Sequence, residues 1–309
     1  MKLLTKILSG AFLSAMVTLS AQNCCPPQTD CNPCCDWFSD CEFSVFGEYL
    51  YWDVCRSSGQ LASVTTTSAT DFALLHFGSN YQSGYRVGGS LQASCWNFLV
   101  RYTSIDSTKS LVQPQAAGEY SLREGFDYSV VDIQLGREIY LRGLCGSLTP
   151  FIGLKFGWID ETMQIEEVAA AVTTATVKND LSSYGVSLGA NFYWQIWKEC
   201  IPVAFIARGS VALLKGRFQT PDAERFVDGV LNETMTSFNR CTMNFVPNLY
   251  VGLDFDLFCC DCFNVNAQLG YEAEIWTSYL FAPGDITLGG RKSGILALNG
   301  LVARFQIGF

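Results

Sequence analysis

The feature that most constrains this chain is a two-residue hydrophobic rhythm that recurs along ten strand-length segments and ends on a terminal aromatic. At the C-terminus Leu301, Ala303, Phe305, Ile307 and Phe309 alternate with Val302, Arg304, Gln306 and Gly308. Successive strand residues point to opposite faces, so this segment reads as a strand with one apolar and one mostly polar face. Around 182–196, Tyr184, Val186, Leu188, Ala190, Phe192, Trp194 and Ile196 interleave with Gly185, Ser187, Gly189, Asn191, Tyr193 and Gln195. Around 243–257, Phe245, Leu249, Val251, Leu253, Phe255 and Leu257 interleave with Asn244, Asn248, Asp254 and Asp256; around 265–276, Val265, Ala267, Leu269, Tyr271 and Ile275 interleave with Asn266, Gln268, Glu272 and Glu274. The other six segments lie near 42–54, 83–93, 98–106, 128–141, 148–158 and 203–215, and the C-terminal one runs over 295–309. Each reaches or exceeds the roughly 9–11 residues that a tilted strand needs to cross a bilayer.

Hydrophobic residues make up 49% of the chain and charged residues 16%, yet past the N-terminus no apolar run approaches the length of a spanning helix, about 20 residues. Apolarity spread over every second residue suits a chain that shows lipid on one face only and pairs its backbone between strands. The expected fold is all-β: a transmembrane antiparallel up-and-down β-barrel of ten strands, with lipid against the apolar series and small and polar residues inside. Short connections near 94–97, 142–147, 197–202 and 258–264 alternate with long ones near 55–82, 107–127, 159–181, 216–242 and 277–294. Outer-membrane barrels keep short turns in the periplasm and long loops outside, so both termini are expected on the periplasmic side. The stretches 55–82 and 216–242 have room for another hairpin, which leaves twelve strands open.

Lys2 and Lys6, the apolar stretch from Ile7 to Leu19, and the small residues Ser20 and Ala21 have the form of a signal peptide. The expected organisation is a signal peptide at 1–21, a cysteine-rich periplasmic segment at 22–41 and an outer-membrane barrel at 42–309. The formal charge of −9 argues against nucleic acid as a partner, since phosphates need clustered Lys and Arg.

Fourteen cysteines fall unevenly. Cys95, Cys145, Cys200, Cys259, Cys260 and Cys262 occupy the short turns, and Cys24, Cys25, Cys31, Cys34, Cys35 and Cys41 crowd the N-terminal segment, so twelve are expected on the periplasmic side. Cys55 and Cys241 are left at the outer ends of strands. An oxidising compartment permits disulfides at all of these positions. The spacing of Cys31 and Cys34 fits a metal knuckle, but the doublets Cys24–Cys25 and Cys34–Cys35 break the two-pair pattern zinc sites require, so no metal is expected. Adjacent cysteines rarely bond each other. Cross-links to other envelope proteins and pairing of the tail with the turns are equally open.

The segment Gly47-Glu48-Tyr49-Leu50-Tyr51-Trp52, the segment Thr149-Pro150-Phe151-Ile152-Gly153 and the cysteine-bearing turns together resemble the chlamydial-type major outer-membrane proteins, in particular the shorter pore-forming barrels of Chlamydia-related bacteria and Legionella. The terminal Phe305, Ile307 and Phe309 resemble the assembly signal of bacterial outer-membrane barrels. The resemblance implies a porin-like channel that passes ions and small hydrophilic solutes by passive diffusion, and an envelope in which cysteine-rich proteins are linked by disulfides. This chain is shorter than the best-known members, which argues for a narrow lumen. Barrels with an open aqueous lumen have about 16–18 strands, while eight-stranded barrels are filled by side chains. Arg86, Arg101, Asp132, Lys155, Arg208, Asp254, Glu272 and Arg304 fall on the inward series as candidate pore-lining residues, with Glu138, Asp256 and Glu274 beside them. Such charges either line a wet channel or pair across it and plug it; the plugged case is a structural, cysteine-rich envelope or adhesion barrel.

No enzyme is expected. His76 is the only histidine and sits in the apolar stretch Phe72-Ala73-Leu74-Leu75-His76-Phe77, without the partners a Ser–His–Asp arrangement needs. Glu48, Asp254 and Asp256 have the plainer role of pairing with Arg. No nucleotide-binding glycine motif is present, and no cofactor is expected.

Overall fold

The computed structural model describes residues 41–56, 62–65, 72–75, 81–115, 118–141, 145–168, 172–197, 202–220, 223–227, 230–235, 238–260, 263–281 and 292–309. In chain order the strands are β1 (Cys41–Arg56), β2 (Ala62–Thr65), β3 (Phe72–Leu75), β4 (Tyr81–Ala93), β5 (Trp96–Gln115), β6 (Gly118–Arg137), β7 (Ile139–Leu141), β8 (Gly146–Val168), β9 (Val172–Trp197), β10 (Val203–Thr220), β11 (Ala223–Val227), β12 (Val230–Met235), β13 (Phe238–Cys260), β14 (Phe263–Phe281) and β15 (Lys292–Gly308). Ten long strands close a ring in the order β1, β4, β5, β6, β8, β9, β10, β13, β14, β15, with β15 pairing back to β1. Every pairing is antiparallel. Closure removes the sheet edge, the condition for a sheet to cross lipid.

The expected alternation sets the two faces. Tyr184, Val186 and Leu188 on β9 and Leu249 and Leu253 on β13 are exposed on the outer wall, while Ser183, Ser187, Asn244 and Asn248 are buried inside. Aromatic residues gather at the two ends of the apolar band: Trp96, Trp197 and Phe309 at the periplasmic end, Tyr51, Tyr81 and Trp158 at the other, as in the girdles that mark the membrane interfaces. Tyr51 and Tyr81 stack with centroids 4.9 Å apart. At the tight turn between β4 and β5, Ser94 has φ 53°, supplying the left-handed residue that such hairpin turns require.

The closing seam explains the weight of the last residue. The N–H of Phe309 donates to the carbonyl of Phe43 at 2.8 Å, and the N–H of Phe43 returns a bond to Phe309 at 3.2 Å. Leu301, Phe305 and Phe309 are exposed on the outer wall, with Ile307 on the same face.

Three expectations change. The stretches 107–127 and 159–181 are not long loops. β5 and β6 stay paired from Trp96↔Arg137 to Gln115↔Gly118, and β8 and β9 from Gly146↔Trp194 to Val168↔Val172. These hairpins continue well past the lipid-facing band, because alternation there persists with polar residues outside, a pattern legible as loop once hydrophobicity alone is counted. The stretch 55–82 does hold a hairpin, β2 with β3, which among the described residues pairs only with itself; in 216–242, β11 pairs with β12 and joins the far end of β9. The barrel therefore has ten strands. Third, the inner face is not uniformly polar: a layer of large apolar side chains interrupts it. Beyond mid-membrane Leu50, Trp52, Ile105, Leu214, Trp276 and Leu298 point inward with 0% exposure.

The signal peptide and the cysteine-rich segment before residue 41 lie outside the described residues, as do His76, Cys200 and Cys262. Cys41, Cys95 and Cys145 stand at the periplasmic rim, where β13 also ends at Cys259 and Cys260; Cys55 and Cys241 lie toward the opposite end and carry free thiols.

Candidate functional site

The alternation that puts apolar residues against lipid forces Glu48, Arg86, Arg101, Asp132, Lys155, Arg208, Asp254, Glu272, Glu274 and Arg304 into the lumen. The low polarity there leaves them few partners but each other, and buried charges persist when paired and hydrogen-bonded. Arg86 on β4 lies between two carboxylates. Its Nη1 donates to Glu48 Oε2 at 2.7 Å and to Glu272 Oε2 at 2.9 Å, its Nη2 to Glu272 Oε1 at 3.2 Å, and its Nε to Thr103 Oγ1 at 2.8 Å. Glu48 Oε1 also faces Arg304 Nη1 at 3.3 Å and Arg208 Nη1 at 3.9 Å.

A second cluster crosses the lumen. Lys155 Nζ on β8 donates to Glu274 Oε2 on β14 at 2.6 Å and lies 3.8 Å from Asp132 Oδ1, while Arg101 Nε donates to Asp132 Oδ2 at 2.9 Å. Glu274 Oε1 accepts from the Tyr128 hydroxyl and from Trp276 Nε1 at 2.8 Å. Tyr128 is on β6, opposite β14 in the ring, so this contact spans the barrel. Asn248 Nδ2 donates to Glu272 at 2.7 Å and Glu274 at 3.2 Å, joining the clusters into one layer.

Aromatic side chains seal the extracellular side of this layer. The Arg86 guanidinium lies 5.4 Å from the Trp52 ring centroid and Lys155 Nζ 5.9 Å from that of Trp276, distances at which the ring face attracts the cation. Trp276 meets Tyr128 edge-on at 6.1 Å and fits against Gly157, where a Cβ would come within 2.6 Å of the indole. Phe218 meets Tyr279 the same way at 6.2 Å. Among the described residues, these rings fill the lumen above the ion pairs.

On the periplasmic side the interior opens into a vestibule of about 230 Å³, lined by Arg101, Arg208, Arg304, Asn191, Asn248 and Gln268 among others. All eight predicted pore-lining residues are inside the barrel: Arg101, Arg208 and Arg304 reach the vestibule, Arg86, Asp132, Lys155 and Glu272 form the closing layer, and Asp254 is buried beside it. Glu138 instead accepts from Gln92 Nε2 at 3.0 Å at the rim, and Asp256 from Asn266 Nδ2 at 2.6 Å. Glu48, which the sequence offers only as an acid to pair with Arg, is the hub of the layer; its inward position opposite Arg86 and Arg304 was the available signal. Leu50, Trp52, Tyr128 and Trp276 were hidden because large apolar residues on both faces of a strand look alike in sequence.

The family described as "Legionella pneumophila major outer membrane protein precursor" matches residues 39–307. Among solved structures, the chain is similar to the translocator domain of the autotransporter NalP from Neisseria meningitidis (10% identity, 86% of this chain and 88% of that one, TM-score 0.38). It is also similar to a Pseudomonas aeruginosa FadL homologue (8% identity, 88% and 90%, TM-score 0.25) and to the Pseudomonas putida toluene transporter TodX (6% identity, 87% and 89%, TM-score 0.24). No curated protein matches the sequence.

Proposed function

The chain belongs to the Legionella major outer-membrane protein family, an outer-membrane β-barrel, and from that premise we propose that it is a narrow channel for ions and small hydrophilic solutes that rests closed. The observation that carries this reading is the ion-pair layer at the floor of a polar vestibule. A lumen meant only to be filled is served as well or better by apolar side chains, because buried ion pairs rarely outdo apolar packing in stability. Charges with alternative partners can instead be rearranged: Glu48 faces three arginines, and Glu272 has both Arg86 and Asn248. A second reading, a permanently sealed envelope or adhesion barrel, is favoured by the full burial of Trp52 and Trp276 above the layer.

In both readings the outer wall binds outer-membrane lipid, the cysteines of the rim and N-terminal segment link the chain to other cysteine-rich envelope proteins, and the chain has no catalytic role, cofactor or nucleic-acid partner. Planar-bilayer recording of the refolded protein decides between them. The channel reading expects brief, rare openings in the wild type and an open probability raised by Glu272→Gln, which leaves Arg86 a single carboxylate. The loss of one charged hydrogen bond corresponds to roughly tenfold. Silence in both proteins overturns the channel and leaves the sealed barrel.

A further inference from the structure

We propose that the periplasmic vestibule is a binding site for a small oxyanion, held by Arg101, Arg208 and Arg304. The inference rests on the channel reading for its physiological sense, since it names the class of solute that meets the closing layer first. It does not need the layer to open.

Three guanidiniums from β5, β10 and β15 line one cavity. Each carries about five N–H donors in a planar fork, and the protein satisfies few of them. Arg101 donates from Nε to Asp132, Arg208 from Nη2 to Gln268 Oε1 at 2.6 Å, and Arg304 from Nη1 to Glu48 and from Nη2 to Gln306 Oε1 at 2.5 Å. Arg304 Nε is fully buried with no partner, and the Arg304 side chain is 7% exposed. Arg304 Nε is closed off from the cavity, whereas the Arg101 and Arg208 side chains are 11% and 19% exposed, and it is their remaining N–H groups that can take acceptors from outside the chain.

The charge count points the same way. Among the described residues the layer's ion pairs engage five cations, Arg86, Arg101, Lys155, Arg208 and Arg304, with four carboxylates, Glu48, Asp132, Glu272 and Glu274. Among the described residues, Glu48 is the only carboxylate at ion-pair distance from Arg208 or Arg304, at 3.9 and 3.3 Å, and it is already bonded to Arg86 at 2.7 Å. Asp254 is buried nearby but makes no ion pair with them among the described residues, and Glu42 is the one acid on the vestibule wall. Among the described residues, direct carboxylate contact with Arg208 and Arg304 thus comes from Glu48 alone, and the rest of their forks faces the cavity.

Shape and lining set the class. About 230 Å³ is below the roughly 300–1,000 Å³ of typical organic-ligand pockets, and fits an anion of a few heavy atoms with its waters. Planar forks recognise carboxylate and phosphate oxygens in pairs. The amides of Asn191 and Gln134 on the same wall offer further donors. The Arg208 and Arg304 groups are braced from behind by the rings of Tyr250 and Phe46, at 4.8 and 3.6 Å, which keeps them in place when the cavity holds no anion.

Inorganic phosphate is the probe, titrated calorimetrically into the refolded full-length protein in detergent, with ionic strength held constant by chloride. The site expects saturable binding of one phosphate per barrel, competition by sulfate, and an affinity about tenfold weaker in Arg208→Gln, the loss of one charged contact. Arg208→Lys, which keeps the charge and loses the fork, should fall between. Heat-modifiable gel migration confirms that each variant is a folded barrel, and sulfate competition tests the site in the wild type without any variant. Absence of saturable binding, or equal affinity in wild type and a folded Arg208→Gln, overturns the site. Binding without conductance overturns the channel but keeps the site; conductance without binding does the reverse.

Discussion

At the residue scale, the lumen is held by contacts whose failure has distinct costs. Lys155 is buried between Glu274 and Asp132, so Lys155→Met strands carboxylate charge in a medium that cannot solvate it. The expected loss is about 3 kcal/mol, the usual penalty for breaking a buried pair from one side. The double variant Lys155→Met with Glu274→Gln should recover part of it. Urea unfolding in detergent, followed by tryptophan fluorescence, measures both; equal stability of single and double variants would show that the charge is not what is lost. Gly157 is the steric counterpart. A Cβ there would sit 2.6 Å from the Trp276 ring and 3.2 Å from Ser183 Oγ, and because Trp276 is fully buried among its neighbours it has nowhere to move. Gly157→Ala is expected to cost about 1–3 kcal/mol by overpacking and to blue- or red-shift the indole emission as Trp276 is displaced. A variant with wild-type emission and stability would mean the indole moves freely.

At the scale of elements, the extended hairpins carry a feature that alternation alone does not reveal. Asp106, Asp127, Asp160 and Asp180 are register partners on β5, β6, β8 and β9, forming one rung of four acids on the outer wall. The lipid-facing apolar series on β8 ends at Trp158, so Asp160 stands past the membrane band. Partial burial, then the neighbouring Asp180 and Asp127 carboxylates, hold the Asp160 carboxyl above the usual carboxylate range. A raised acid binds its proton more tightly folded than unfolded. Its carboxylate thus destabilises the fold at neutral pH, and the penalty is relieved as pH falls through the folded-state value. Asp160→Asn should stabilise the protein at neutral pH by about 0.5 kcal/mol, the scale of like charges facing across strands, and less at high salt because the group is exposed. The gain should vanish below the ordinary carboxylate range. A gain that persists in acid would trace to packing instead of charge.

At the scale of the whole molecule, closure depends on the terminal residue and topology governs access. Removing Phe309 deletes both backbone bonds that it exchanges with Phe43 and an outward aromatic at the periplasmic girdle. Assembly into the outer membrane, scored by heat-modifiable migration in membrane fractions, should slow markedly; assembly at the wild-type rate would show that the seam closes without it. The same topology predicts that a membrane-impermeant maleimide, applied to intact cells after mild reduction, reaches the exposed Cys241 but not Cys145, which is at the periplasmic turn. Labelling of Cys145 from outside would invert the barrel.

The period-two pattern by itself determined that the chain is an antiparallel barrel, which face meets lipid, and that the charged residues from Arg86 to Arg304 lie inside; it expected ten strands but left twelve open, and the pairing of the stretches 55–82 and 216–242 settled ten. These follow from local geometry, since the side chain of a strand residue has only two directions available. Which charges meet was beyond it: Lys155 and Glu274 are far apart in sequence and four strands apart in the ring, and only the width of a ten-stranded lumen brings them within 2.6 Å. The same holds for Leu50, Trp52 and Trp276, which stand on strands with large apolar residues on both faces, so that neither their inward placement nor their packing into a seal was legible. Hydrophobicity states that a side chain avoids water; whether it finds lipid or an opposing wall depends on how far away that wall stands, and the tertiary structure alone sets that distance.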